Sequence, residues 1–307
     1  MDSVALHPTR CAICDTLGNA SLILPAALGD KAFTPEVFSA RRIPDRIHYC
    51  LVRCKSCGLI RSDPIGDPAT IENLYTKSGF TYTEEIANLA LTYGRYLRLL
   101  ERYGIKKEAL LEIGCGNGFF LEEALRQGYA QVQGVEPSMA AVLRAAPLVA
   151  RHITVEAMRP GLFSPDSFSA VCLFQVLDHI IQPKPLLSEI HRLLKPGGMV
   201  LCIVHNVTAF SARILRQRSP IVDIEHTYFY SPPTLCRLFL LCGFTVEKSG
   251  SVANRYSLSY LARLLPSKST LKQRLVMLSD NRAMRAIDVT LPLGNMYLIA
   301  RKLSDHH

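Results

Sequence analysis

Cys11-Ala12-Ile13-Cys14 and Cys54-Lys55-Ser56-Cys57 each set two thiols three positions apart. Two such knuckles can present four thiolates to one tetrahedral ion, giving a closed structural zinc site with no position left for substrate. The thirty-nine residues between them form a long insertion, and the competing reading is a pair of reduced, empty knuckles kept for packing. Cys50, on an apolar run four residues before Cys54, reads as a core thiol outside the ligand set. A second constellation is the loop Gly114-Cys115-Gly116-Asn117-Gly118, entered from the apolar run "ALLEI" and left by a helical pattern at Phe119. Glycines there let backbone approach a ligand lying over a strand end. A dinucleotide fingerprint would need glycine where Phe119 stands, which disfavours a nicotinamide or flavin enzyme. Glu136 lies twenty-two residues after Gly114 at the end of the next apolar run, where a carboxylate can accept both hydroxyls of a ribose. The loop therefore expects a nucleoside.

Composition bounds what these residues can belong to. At 307 residues and 49% hydrophobic, the chain can bury one large core or a core with a small satellite. The segment Met1 to Pro8 has neither the basic start nor the apolar core of a signal peptide, and no run reaches the ~18 apolar residues of a membrane span. The expectation is a cytoplasmic protein without membrane association. Its ten cysteines then stay reduced, which favours metal binding or burial over disulfides. A formal charge of +9 favours an anionic partner.

Three segments must position the chemistry. Residues 1–70 carry five cysteines, six prolines and short apolar runs, which predicts a loop-rich module of β-hairpins. Residues 71–104 form a connecting segment whose helix sets Ile86, Leu89, Ala90, Tyr93, Leu97, Leu100 and Tyr103 on one face and stops at Gly104. In residues 105–307, short apolar runs alternate with helical patterns: "ALLEIG", "QVQGVEP", "HITVE", "FSAVCLF" and "GMVLCIV" are strands, with a helix over "PLLSEIHRLL" ended by Lys195-Pro196-Gly197-Gly198. That alternation predicts a parallel sheet with right-handed crossovers.

"LLEIGCGNG", "GVEPS", "FSAVCLFQVLDHI" and "LLKPGGMVLCIV" together resemble, in order and spacing, the motifs of class I S-adenosylmethionine-dependent methyltransferases, over about residues 80–302. The resemblance implies an α/β fold with a doubly wound seven-stranded Rossmann-like sheet, order 3-2-1-4-5-7-6 with strand 7 antiparallel, behind a small N-terminal zinc-binding module. It implies S-adenosylmethionine as cofactor, contacted by Glu112, Gly114, Cys115, Gly116, Asn117, Gly118, Glu136, Pro137 and Gln175, with residues near Glu156 and Gln175 bordering the adenine or the methyl. "SPPTLCRLFLLCGFTVEKSG" and "LGNMYLIARKL" resemble the terminal helix and hairpin of that fold. "VRCKSCGLIRSDP" is similar to a zinc-binding segment ahead of some bacterial methyltransferase domains. Its sugar-carbon version shows a Pro-Leu-Ala-Asn type segment where this chain has "LPAALGDKAFTPEVF".

Methyl transfer is an in-line displacement that needs alignment and, for a protonated nucleophile, a base. Histidine suits neutral pH, and His179, His205 and His226 fall at the carboxyl ends of strands or in the loop before the last helix, unlike His7, His48 and His152. Ordinary capping or packing also explains each one, and His226 would serve as partner to Glu225. His226, with Tyr228 nearby, is the first choice, because that loop commonly covers the acceptor in the family. Phe174-Gln175-Val176-Leu177 lacks the Pro-Pro signature of exocyclic-amine methylases, and Cys172 and Cys202 fall in predicted core strands, where inert burial is the better reading, which ranks cytosine-carbon chemistry down. A small-molecule acceptor follows. Arg213, Arg216 and Arg218 could hold a phosphate or carboxylate on it, giving an anionic metabolite, or form a solvated face. The alternative class is a zinc-ribbon RNA-binding protein or RNA methyltransferase, against which stands the lack of a basic run interleaved with aromatics.

Overall fold

The computed structural model describes residues 4–29, 32–38, 45–79, 85–257, 261 and 288–303. The first segment folds into β1 (Leu6–His7), β2 (Ala20–Leu24), β3 (Leu51–Cys54), β4 (Ile60–Ser62) and β5 (Ile65–Gly66). Helix α1 (Pro68–Thr76) follows, begun by the Asp67 side chain, which accepts from the Thr70 amide, and by Pro68 in its first turn. Helix α2 (Ile86–Leu97) runs on as a 3₁₀ turn to Tyr103 and ends at Gly104, whose φ of 74° is left-handed.

Then come β6 (Ala109–Ile113), α3 (Phe119–Arg126), β7 (Gln131–Val135), α4 (Met139–Val142), α5 (Pro147–Ala150), β8 (Ile153–Thr154), β9 (Phe168–Phe174), α6 (Pro183–Leu193) and β10 (Leu194–His205). The chain closes with α7 (Phe210–Leu215), β11 (Tyr228–Phe229), α8 (Pro232–Leu241), β12 (Phe244–Ser257) and β13 (Asp288–Lys302). Seven strands share one sheet in the order β12-β13-β10-β9-β6-β7-β8. The pairs from β8 to β10 are parallel, whereas β13 runs antiparallel to both neighbours.

Strand alternation divides the core. Val171 and Leu173 of β9, with Val200, Cys202 and Val204 of β10, face α6 and α8. Ala170, Cys172 and Phe174, with Met199, Leu201 and Ile203, face α2 and α3. Both strands are buried on the two sides, as a central parallel sheet requires. Among the described residues no helix is long and apolar enough to cross a membrane.

The N-terminal strands join this body directly. Cys11, Ala12, Ile13, Cys54 and Leu59 belong to the same packed cluster as Leu186, Leu187 and Leu235. Their small sheet has the order β11-β4-β3-β2, so its edge strand comes from the far end of the chain. Arg61 of β4 is fully buried, donates from Nε to the Thr9 carbonyl at 3.1 Å and pairs with Asp63 at 2.9 Å. A buried guanidinium of this kind is sustained only by its partners, and removing one member of such a pair typically costs about 3–5 kcal/mol. Arg61→Ala should lower the unfolding free energy in denaturant titration by that amount, and a loss below about 1 kcal/mol would mean that the pair behaves as an exposed one.

Candidate functional site

One cavity of about 980 Å³ runs along the carboxyl ends of β6, β7, β9 and β10, where ligands of open α/β sheets bind. It lies near the top of the ~300–1,000 Å³ span of small-molecule sites, room for a cofactor and an acceptor together.

At one end stands the glycine loop. Gly114, Gly116 and Gly118 have φ of 73°, 56° and 75°, which L side chains rarely adopt. A Cβ on Gly114 would meet Val176 Cγ2 at 2.5 Å. The loop is tied to the next strand: the Gly116 amide donates to Glu136 Oε2 and the Ser138 amide to Glu136 Oε1, both at 2.9 Å. Glu112 projects from β6 into the cavity and is buried, with Oε2 lacking a hydrogen-bond partner among the described residues. Burial, reinforced by the nearby Glu136, pushes the Glu112 carboxyl well above its usual range. An orphaned buried carboxylate beside a backbone cradle fits a cationic ligand head, and Glu136 keeps lone pairs for ribose hydroxyls. The amino-acid end and ribose of S-adenosylmethionine match this pair. Tyr93 and Phe174, stacked with ring centroids 4.2 Å apart, wall the cavity beside Phe119.

Four groups gather at the other end. Asp178, on the turn after β9, is buried, and its Oδ2 lies 2.8 Å from His205 Nδ1 at the end of β10. His179 Nε2 stands 3.8 Å from Asp178 Oδ1, and His226 Nε2 stands 3.9 Å from Oδ2. Burial works against the charge of Asp178, yet the His205 hydrogen bond and the surrounding imidazoles hold its carboxyl well below the ordinary value. An ionised carboxylate only accepts, so His205 carries a hydrogen on Nδ1 and turns Nε2 away from Asp178. His205 lines the cavity with its side chain 27% exposed. Burial lowers His179, and burial together with the neighbouring imidazoles lowers His226 to about 4. His226 Nδ1 lies 2.8 Å from the Ile221 carbonyl, and His179 Nδ1 lies 2.8 Å from the Tyr75 hydroxyl.

The structure gathers the three histidines on one buried carboxylate and sets Tyr228 apart. Its hydroxyl reaches the Arg10 and Ile181 carbonyls at 2.9 and 3.2 Å, away from the cavity. Glu112, Gly114, Cys115, Gly116, Glu136, Pro137 and Gln175 line the cavity, whereas Asn117 and Gly118 support it from behind. Gln175 adopts a left-handed φ of 57°, which aims its side chain at this space. Glu156 pairs with Arg159, and it is Ala157, Met158 and Arg159 that border the cavity. Arg213, Arg216 and Arg218 are exposed outside the lining. Asp178 and Tyr75 are functional candidates that sequence reasoning passed over. The adjacent acid-histidine pairs Asp178-His179 and Glu225-His226 were the available signal.

The four knuckle thiols Cys11, Cys14, Cys54 and Cys57 converge, with Sγ atoms all within 4.8 Å of one another and Cys11 to Cys57 at 3.4 Å. Burial opposes ionisation of Cys54, but amide donors from Cys57 and Ser56 bring it down to about 7. A converging thiol set with one member close to ionisation suits a soft divalent ion.

A family model described as a methyltransferase domain matches residues 87–249. A ubiquinone biosynthesis O-methyltransferase of Aeromonas salmonicida is 30% identical over 164 residues, covering 48% of this chain and 68% of that one. The enzyme of the same name from Pseudomonas paraeruginosa is 36% identical over 108 residues, or 33% of this chain. The match spans 45% of the length of that relative. A solved S-adenosylmethionine-dependent methyltransferase from Archaeoglobus fulgidus superposes with a TM-score of 0.47 at 19% identity, covering 69% of this chain and 94% of its own.

Gly114→Ala combines a left-handed backbone with a contact that Val176 cannot yield without repacking. It should weaken S-adenosylmethionine binding at least about tenfold, the equivalent of ~1.4 kcal/mol, in titration calorimetry. Unchanged affinity would mean that the loop does not form the cradle.

Proposed function

The chain belongs to the S-adenosylmethionine-dependent methyltransferases, and on that premise we propose that it methylates a hydroxyl of a small molecule bound at the histidine end of the cavity, with His205 as general base. The observation that carries this reading is the continuity of one cavity from Glu112 and Glu136 to His205, whose Nδ1 is engaged by Asp178 so that Nε2 is the nitrogen free to take a proton in the neutral ring. When bound, S-adenosylmethionine supplies a methyl carbon open to in-line displacement, the carbon–sulfur pair leaving on sulfur as the acceptor oxygen bonds to carbon. His205 takes the acceptor's proton at Nε2. Asp178 fixes the tautomer and stabilises the resulting imidazolium, as a buried carboxylate does in other acid–base pairs. Tyr93, Phe119 and Phe174 keep water from the reacting centre.

A phosphate or carboxylate on the acceptor finds six acids along the cavity lining, Glu72, Asp223 and Glu225 among them, with Arg159 the only arginine among the described residues of that lining. Any anionic group would therefore meet Arg213, Arg216 or Arg218 only at the rim, and the acceptor proposed is a neutral hydroxylated compound. The names of the curated relatives, which specify O-methylation, support oxygen as the target. We further propose one structural Zn²⁺ on Cys11, Cys14, Cys54 and Cys57, consistent with their convergence. Stripping the ion under denaturing conditions and refolding without it should abolish the native melt. A metal content below half an equivalent in the native chain would contradict the site.

His205→Ala should lower kcat by about 10²–10⁴-fold, measured with any hydroxylated acceptor that turns over, while cofactor affinity stays unchanged in calorimetry. Retention of more than about a tenth of the rate would remove His205 as base. Glu112 yields a separate expectation. Its carboxyl is held above the usual range in the free protein, and a cation beside it favours the ionised form. Cofactor binding should release protons and tighten as pH rises through the interval between the two values, readable as buffer-dependent binding enthalpy. Glu112→Gln should remove that dependence.

A further inference from the structure

His205 occupies only one oxygen of Asp178. The other, Oδ1, is buried without a hydrogen-bond partner among the described residues and faces His179 Nε2 at 3.8 Å. One ligand atom each of Asp178, His179 and His226 lie within 4.8 Å of one another. His226 Nδ1 contacts the Ile221 carbonyl, which can only accept, so the hydrogen of the neutral ring sits on Nδ1. Its Nε2 then presents a bare lone pair to Asp178 Oδ2 at 3.9 Å, two acceptors with no hydrogen between them. Something positive belongs in that gap.

We propose that Asp178, His179 and His226 form a second metal site, taking a divalent first-row transition ion of the Zn²⁺ or Fe²⁺ type at the acceptor end of the cavity. Two imidazoles and one carboxylate are the donor set of three-ligand catalytic sites, which keep positions open for water or substrate. Two nitrogens favour such an ion over Mg²⁺ or Ca²⁺, which prefer oxygen ligands. Each ligand is anchored from behind, as bound metal ligands are: His226 by Ile221, His179 by the Tyr75 hydroxyl, and Asp178 by His205, each at 2.8 Å. His179 and His226 both line the cavity, so the open positions point where the acceptor must lie. Asp223 and Glu225 border the same end and add negative potential. The cysteine cluster is a separate donor set, all sulfur and on the N-terminal strands.

The role of this ion rests on the methyl-transfer reading, whereas its presence does not. Bound through an acceptor hydroxyl, it would lower the pKa of that hydroxyl and hold its oxygen in place, and His205 would accept the proton.

The test loads the full chain with Co²⁺ or Zn²⁺, desalts it, and counts ions per chain by plasma mass spectrometry. Wild type should hold one equivalent more than His179→Ala/His226→Ala. The additional Co²⁺ should lack thiolate charge-transfer absorption. Tyr75→Phe keeps the ring and removes only the hydroxyl behind His179, so it should weaken the additional ion about 10–100-fold even if the double variant fails to fold. Equal counts in wild type and variant, or a Tyr75→Phe affinity equal to wild type, would overturn the site. Saturation by Mg²⁺ with no uptake of Co²⁺ would overturn the ion class. A chain that transfers methyl groups without taking up the additional ion overturns this inference and leaves the proposed function standing. A chain that takes up the ion and transfers nothing does the reverse.

Discussion

A carboxylate placed in low dielectric must be surrounded by donors or cations, since an uncompensated buried charge costs several kcal/mol. Asp178 is 1% exposed; His205 donates to its Oδ2, and two further imidazoles stand close without bonding it. His205 comes from β10 and His179 from the same turn, while His226 comes from the segment that becomes β11. The backbone joins in, for the Thr227 and Tyr228 amides both donate to the Asp178 carbonyl, at 2.8 and 3.1 Å. The contacts around this one acid therefore tie together two sheet strands and a distant loop. Such polar clusters are specific because a partial solution leaves a buried group unmet.

The same segment connects the catalytic half of the chain to the cysteine knuckles. Ser62 of β4 donates from Oγ to the His226 carbonyl at 2.8 Å and from its amide to the Thr227 carbonyl at 2.9 Å. β4 pairs with β3, which ends at Cys54, so the thiol cluster braces the strand against which His226 is hung. Tyr228 belongs to this bracing. Its hydroxyl ties β11 to Arg10, next to the first knuckle. A structural ion on the four thiols would thus stiffen the wall of the acceptor site without touching the acceptor.

Short apolar runs alternating with helical patterns made the large sheet legible, and glycine spacing with Glu136 made the cofactor end legible, because both signals are local in sequence. The helix Pro68–Thr76 lacked a recognised period, although Asp67 and Pro68 are ordinary helix-start residues. The acceptor end was legible only as three separate histidines. His226 drew first attention through family habit; it lines the cavity but is buried and bonded to the Ile221 carbonyl, whereas His205 lines the same cavity with its side chain 27% exposed. Asp178 could not be ranked beforehand, because its importance lies in contacts with His205 and His226, which stand 27 and 48 positions away. Nothing in the sequence of β11, two residues long, announces that it completes a sheet begun more than 160 residues earlier.

In the proposed reaction, Asp178 sets the tautomer of His205, leaving Nε2 as the nitrogen that takes the acceptor's proton. Side-chain nitrogen NMR on ¹⁵N-histidine-labelled protein reads that tautomer directly. The account predicts that near neutral pH the His205 signals are those of an Nδ1–H imidazole with a bare Nε2, and that Asp178→Asn shifts the proton toward Nε2 and slows transfer without weakening the cofactor. An Nε2–H tautomer in the wild-type chain, or a His205 spectrum indifferent to Asp178→Asn, would contradict it.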